Sequence, residues 1–114
     1  MKLIYIAGPF RAATPWLVEQ NIRRAEELAY RVWTELGTAA LCPHTNTRFF
    51  DKSGSDQVFL DGTMEMLRRC DAVLLVPGYE KSAGTIAEMR EAQRLGTPVF
   101  HNLAGLSDWL GRAA

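Results

Sequence analysis

Residues 3–11 read Leu3-Ile4-Tyr5-Ile6-Ala7-Gly8-Pro9-Phe10-Arg11, five apolar residues that run without interruption into a glycine and a proline. A strand that is apolar on both faces must be covered on both faces, which is the condition of a parallel sheet flanked by helices. Three more runs share this character: Ala39 to Cys42, Ala72 to Val76 and Pro98 to His101. Between the first two, Ile22, Ala25, Leu28, Ala29, Val32 and Leu36 recur at helical spacing while Glu19, Arg23, Arg24, Glu26, Glu27 and Arg31 take the other face, so a long amphipathic helix is predicted over Pro15 to Leu36. Thr14 suits its N-cap, Pro15 its first turn and Gly37 its left-handed stop. Further helices are predicted from Val58 to Arg69, from Gly84 to Leu95 with Gly96 as terminator, and over the short segment Leu103 to Leu110. This alternation predicts a doubly wound, Rossmann/flavodoxin-like three-layer α/β sandwich with a four- to five-stranded, mainly parallel sheet. The one long polar stretch, Pro43 to Gln57 with Thr45, Asn46, Thr47, Lys52 and Ser53, is expected to be an irregular functional loop.

The chain has 114 residues, which predicts one domain over residues 1–114. With 47% hydrophobic and 23% charged residues it has the composition of a folded globular protein, and disorder is excluded as its main state. Thirteen basic against thirteen acidic residues give a formal charge of zero, so no general field exists to hold a nucleic acid polymer. No apolar run approaches the roughly 20 residues of a membrane span, and the first ten residues lack a signal-peptide cleavage pattern. A cytoplasmic protein is the expectation. Cys42 and Cys70 have no C-x-x-C spacing and read as small buried hydrophobes. Cys42 with His44 supplies two ligands where a structural zinc needs four, so no metal is expected.

In a doubly wound sheet, ligands sit outside the carboxyl ends of the strands. The first exit carries Gly8, Phe10 and Arg11: a glycine admits a ligand close to the backbone, and the guanidinium is a forked donor for phosphate or carboxylate. A turn glycine beside a solvated arginine accounts for the same residues. After the third strand, Ser82, Gly84 and Thr85 lead into a helix whose positive end favours an anion. Glu88 lies inside that helix near the same cleft, although Thr85-x-x-Glu88 also has the form of a capping box, which requires no ligand. Tyr5 points to the sheet face opposite Ile4 and Ile6. His44 and Asn46 fall on the polar loop, within reach of a base or sugar, or as ordinary surface. Asp71 suits a turn at the start of the third strand. Trp16, Trp33 and Trp109 read as packing residues, with Trp109 a candidate for a subunit interface.

Three stretches taken together carry a family resemblance: Tyr5-Ile6-Ala7-Gly8-Pro9-Phe10, Cys70-Asp71-Ala72-Val73, and Ser82-Ala83-Gly84-Thr85-Ile86-Ala87-Glu88. In this order, at strand starts and exits, they resemble the nucleoside 2-deoxyribosyltransferase superfamily, near the nucleoside 5'-monophosphate N-hydrolases and a small DUF4406-like branch. The resemblance implies that Glu88 is a nucleophile toward the anomeric carbon of a (deoxy)ribosyl group and that Tyr5 positions it. It implies a nucleoside or nucleotide substrate, no cofactor, and a homodimer to which Asp108 to Ala114 could contribute. Transferases of this kind tend to carry an aspartate where this chain has Ser82. A carboxylate there repels a phosphate, whereas a hydroxyl donates to one, so Ser82 with Gly8 and Arg11 points to a 5'-monophosphate. One departure stands out: relatives carry an acidic residue for the leaving base where this chain has Thr63. A transferase, or a nucleotide-binding module without chemistry, is the alternative.

Overall fold

The computed structural model describes residues 1–50 and 53–113. Its elements in chain order are β1 (Leu3–Ala7), α1 (Pro15–Glu35), β2 (Ala39–Leu41), α2 (Pro43–Asn46), α3 (Asp56–Arg68), β3 (Ala72–Leu75), α4 (Ala83–Leu95), β4 (Val99–Phe100) and α5 (Leu103–Ala113). The four strands form one parallel sheet in the order β2-β1-β3-β4. The uninterrupted apolar runs mark its interior: Ile4 to Ala7 and Ala72 to Leu75 are all buried, whereas β2 and β4 are half-buried edges.

Alternation along β1 divides the core into two layers. Ile4 and Ile6 pack with Ala25, Ala29 and Val32 of α1 and Leu106 of α5 on one face. Tyr5 and Ala7 pack with Leu67 of α3 and Ala92 of α4 on the other. Each fully buried branched side chain contributes roughly 1.5–3 kcal/mol of transfer free energy, so this two-sided clamp on β1 fixes the strand's height and tilt. The chain leaves β1 toward β2 but later returns to β1's other edge as β3. The crevice of the doubly wound fold therefore lies over the carboxyl ends of β1 and β3, between the loops that begin at Gly8 and Val76.

Local signals set α1 as expected. The Thr14 side chain accepts from the Leu17 amide at 3.2 Å, Pro15 opens the helix, and Gly37 takes a φ of +63° just beyond its end. Three expectations are corrected. The polar stretch is not irregular throughout, because Pro43, whose ring presets φ, starts the helical turn α2; Lys52 lies outside the described residues. The cap of α4 is Ser82 rather than Thr85: its Oγ accepts the Thr85 amide at 3.2 Å, which makes Thr85 the third helical residue and removes the capping box. Trp16 and Trp33 are 71% and 53% exposed instead of packed. Trp109 does pack inside the chain, with its ring 5.6 Å from Phe100 and the Lys2 ammonium above it. No helix among the described residues is long and apolar enough to cross a membrane.

Candidate active site

Tyr5 enters the site from β1 and Glu88 from the second turn of α4, and the phenol donates a hydrogen bond to Glu88 Oε2. The bond joins residues 83 positions apart. Glu88 neither folds back onto its helix amides nor turns to open solvent. Burial, opposed by the Tyr5 hydrogen bond, pushes its carboxyl up from 4.5 to about 7. The same burial, together with the Glu88 charge, raises Tyr5 well above the ordinary phenol range, so Tyr5 stays a neutral donor. Thr63 of α3 lies against the Tyr5 hydroxyl, and its own Oγ1 donates to the Leu60 carbonyl at 3.0 Å. Thr63 thus faces the Tyr5–Glu88 pair.

Above this pair stands the start of α4. Gly84 lies one turn before Glu88 on the same helix face, and a Cβ built there would meet nothing within 4 Å. Packing within the chain gives no reason for glycine at 84, which is exposed. Ser82 Oγ accepts from the Thr85 amide and from Thr85 Oγ1 at 2.8 Å, which leaves its own proton to donate outward. From Ser82 to Glu88 the helix rises by roughly 9 Å, and from Tyr5 to Gly8 the strand advances by roughly 10 Å. The two elements therefore run from a carboxylate at the bottom to a donor-rich rim at the top.

The first-exit residues divide. Gly8 is glycine for a different reason from the one expected, since a Cβ there would stand 2.5 Å from Val76 Cγ2; interstrand packing, not ligand approach, uses the missing side chain. Arg11 is 70% exposed and pairs with Asp56 at 2.9 Å, so α3's first residue already neutralises it. Phe10 packs edge-on against His44 with ring centroids 5.7 Å apart. His44 is buried on α2, not at the surface of a loop, and Nε2 lies 2.8 Å from the Pro9 carbonyl. Burial lowers its pKa and keeps the imidazole neutral. Asn46 is exposed beyond the site, its amide 3.8 Å from Met66 Sδ. It lines a cleft of about 510 Å³ between α1 and β2, with Tyr30, Trp33 and Cys42, on the opposite sheet face from Glu88. Asp71 works at the other end of the sheet, where its carboxylate accepts the Leu3 amide at 2.7 Å.

Asn21 belongs to none of the motifs above. It is buried on α1 and donates to the Phe10 carbonyl at 3.1 Å. Its signal was available: it continues the apolar stripe of Ala25 and Ala29 at intervals of four, and a polar side chain on such a stripe needs a buried partner.

The chain's fold is similar to that of a 2-deoxyribosyltransferase from the psychrotolerant bacterium Bacillus psychrosaccharolyticus. The TM-score is 0.60 and the identity 23%, with 85% of this chain and 69% of the other covered. No curated protein matches the sequence. A family model described as "Domain of unknown function (DUF7768)" matches residues 2–102, and with nearly its whole length inside that match the chain belongs to this family.

Proposed function

We propose that the chain hydrolyses the base–sugar bond of a (deoxy)nucleoside 5'-monophosphate, with Glu88 as nucleophile and Tyr5 as the group that orients it. The observation that carries this reading is the pair itself: Tyr5 occupies Glu88 Oε2 and no hydrogen bond among the described residues commits Oε1. A half-buried carboxylate shielded from water suits an oxocarbenium-like transition state. Oε1 of the ionised carboxylate attacks C1', the C1'–N bond breaks, and its electron pair leaves with the base, which takes a proton from solvent. Water then attacks C1' of the glycosyl ester, the ester C–O bond breaks, and a proton returns to solvent. The products are free base and a sugar 5-phosphate with net retention. The outward proton of Ser82 and the Arg11 guanidinium supply the phosphate grip, with Gly84 keeping the rim low and Phe10, backed by His44, forming a flanking wall. The reading includes a homodimer, for which the exposed Tyr30 and Trp33 beside the edge strand β2 offer a surface, and sedimentation equilibrium tests it.

Incubation with ribo- and deoxynucleoside monophosphates, followed by chromatography for free base, tests the function. Release that disappears in Glu88→Gln is the expected result. A second reading, a nucleotide-binding module without turnover, is favoured by Thr63, which brings a hydroxyl rather than a second carboxylic acid to the pair. Saturable binding with no release of base would establish it, and transfer to an added base in preference to water would make the chain a transferase.

A further inference from the structure

The loop after β1 is held by two buried polar side chains from two different elements. His44 of α2 is 5% exposed and its Nε2 holds the Pro9 carbonyl at 2.8 Å. Asn21 of α1 is 7% exposed and its Nδ2 holds the Phe10 carbonyl at 3.1 Å. Arg24 donates to the Asn21 Oδ1, which settles that the amide's nitrogen end faces the loop. Such an arrangement carries a cost, because Nδ1 of His44 is buried with no partner among the described residues. Closing a turn does not demand it.

Peptide geometry shows what it accomplishes. In a trans peptide the carbonyl and the following N–H point in opposite directions, and no peptide among the described residues is cis. Drawing the Pro9 oxygen toward α2 and the Phe10 oxygen toward α1 turns the Phe10 N–H away from α2 and the Arg11 N–H away from α1. Neither N–H meets an acceptor among the described residues. Unpaired backbone amides are donors for anions, and here two successive ones adjoin the Arg11 side chain.

We infer that Asn21 and His44 are positioning residues that orient the peptides of residues 9–11 so that the Phe10 and Arg11 amides receive the anionic 5'-phosphate. The inference rests on the nucleotide reading above and adds to it two side chains that act through the backbone without touching the ligand.

The test uses the full chain, with dAMP, inorganic phosphate and deoxyadenosine as probes. The Phe10 and Arg11 amide resonances of the wild type should move with dAMP and with phosphate, and stay in place with deoxyadenosine. Asn21→Asp keeps an acceptor for Arg24 but cannot donate to the Phe10 carbonyl, and His44→Phe keeps a ring without a donor. Each should lose at least about tenfold in dAMP affinity while deoxyadenosine affinity holds within about twofold. His44→Gln, which restores a donor near the Nε2 position, should recover most of the loss. Variants that bind dAMP like the wild type, or folded variants that lose both ligands equally, overturn the positioning role and leave the nucleotide reading standing. A wild type that binds dAMP and deoxyadenosine alike, with both resonances unmoved, overturns the nucleotide reading itself.

Discussion

Replacing Glu88 by Gln should remove a pH dependence from the stability of the fold. The carboxyl titrates at about 7 in the folded chain because burial disfavours its charge, against 4.5 for the ordinary group. Below pH 4.5 it is protonated whether the chain is folded or not. Between 4.5 and 7 the unfolded chain ionises while the folded chain does not, so stability falls as pH rises, by about 1.4 kcal/mol per pH unit at the steepest. Above 7 both forms are ionised and the loss levels off at about 3 kcal/mol, the free-energy equivalent of the displaced titration. Glutamine cannot ionise, yet it retains an oxygen to accept from Tyr5. Urea denaturation of both proteins from about pH 4 to about pH 8.5 isolates the effect, because every other group titrates alike in the two and cancels in the difference. The variant should gain on the wild type through this window and then stay ahead by about 3 kcal/mol. A difference constant to within about 0.5 kcal/mol would refute the claim that Glu88 is desolvated. A wild type that gains on the variant with rising pH would mean that an unrecognised cation pairs with it.

Tyr5→Phe deletes the hydrogen bond that holds the Glu88 carboxyl down. Since hydrogen bonds to charged groups are worth about 1.5–3 kcal/mol, the acid limb of the pH–rate profile for base release should move upward from about 7 by roughly one to two pH units; a limb that stays in place refutes the contact. Gly8→Ala forces a Cβ to within 2.5 Å of Val76 Cγ2 and 2.6 Å of its Cβ and should cost about 1–3 kcal/mol in thermal melts; adding Val76→Ala should not restore the loss, because alanine keeps the Cβ. Gly84→Ala should do the reverse, stabilising α4 by about 0.5–1 kcal/mol because its methyl group meets nothing within 4 Å, while weakening nucleotide binding at the rim one turn before Glu88. Asp56→Asn frees an exposed Arg11, so stability should change by less than about 1 kcal/mol while calorimetry records several-fold tighter dAMP binding. Unchanged binding would show that Asp56 and the phosphate do not compete for Arg11.

Features written in short stretches of chain were legible before any coordinates. The unbroken apolar runs of β1 and β3 announce a parallel sheet because a strand with no polar face has to be covered twice. Thr14, Pro15 and Gly37 bound α1 because capping is a matter of three or four adjacent residues. The alternation that sends Tyr5 to one face and its two isoleucine neighbours to the other follows from the pleat alone. Local reasoning fell short where one residue type satisfies two patterns. Thr85-x-x-Glu88 spells a capping box, and only the engagement of the Ser82 hydroxyl, which starts the helix earlier, frees the carboxylate. The rest depends on contacts between distant segments: Glu88 with Tyr5, Gly8 with Val76, Arg11 with Asp56, and Asn21 and His44 with the carbonyls of one loop. Spacing along a chain encodes periodicity and caps. The direction of a hydrogen bond across a sheet, and the water withdrawn from a carboxylate beneath two helices, exist only once those elements have packed.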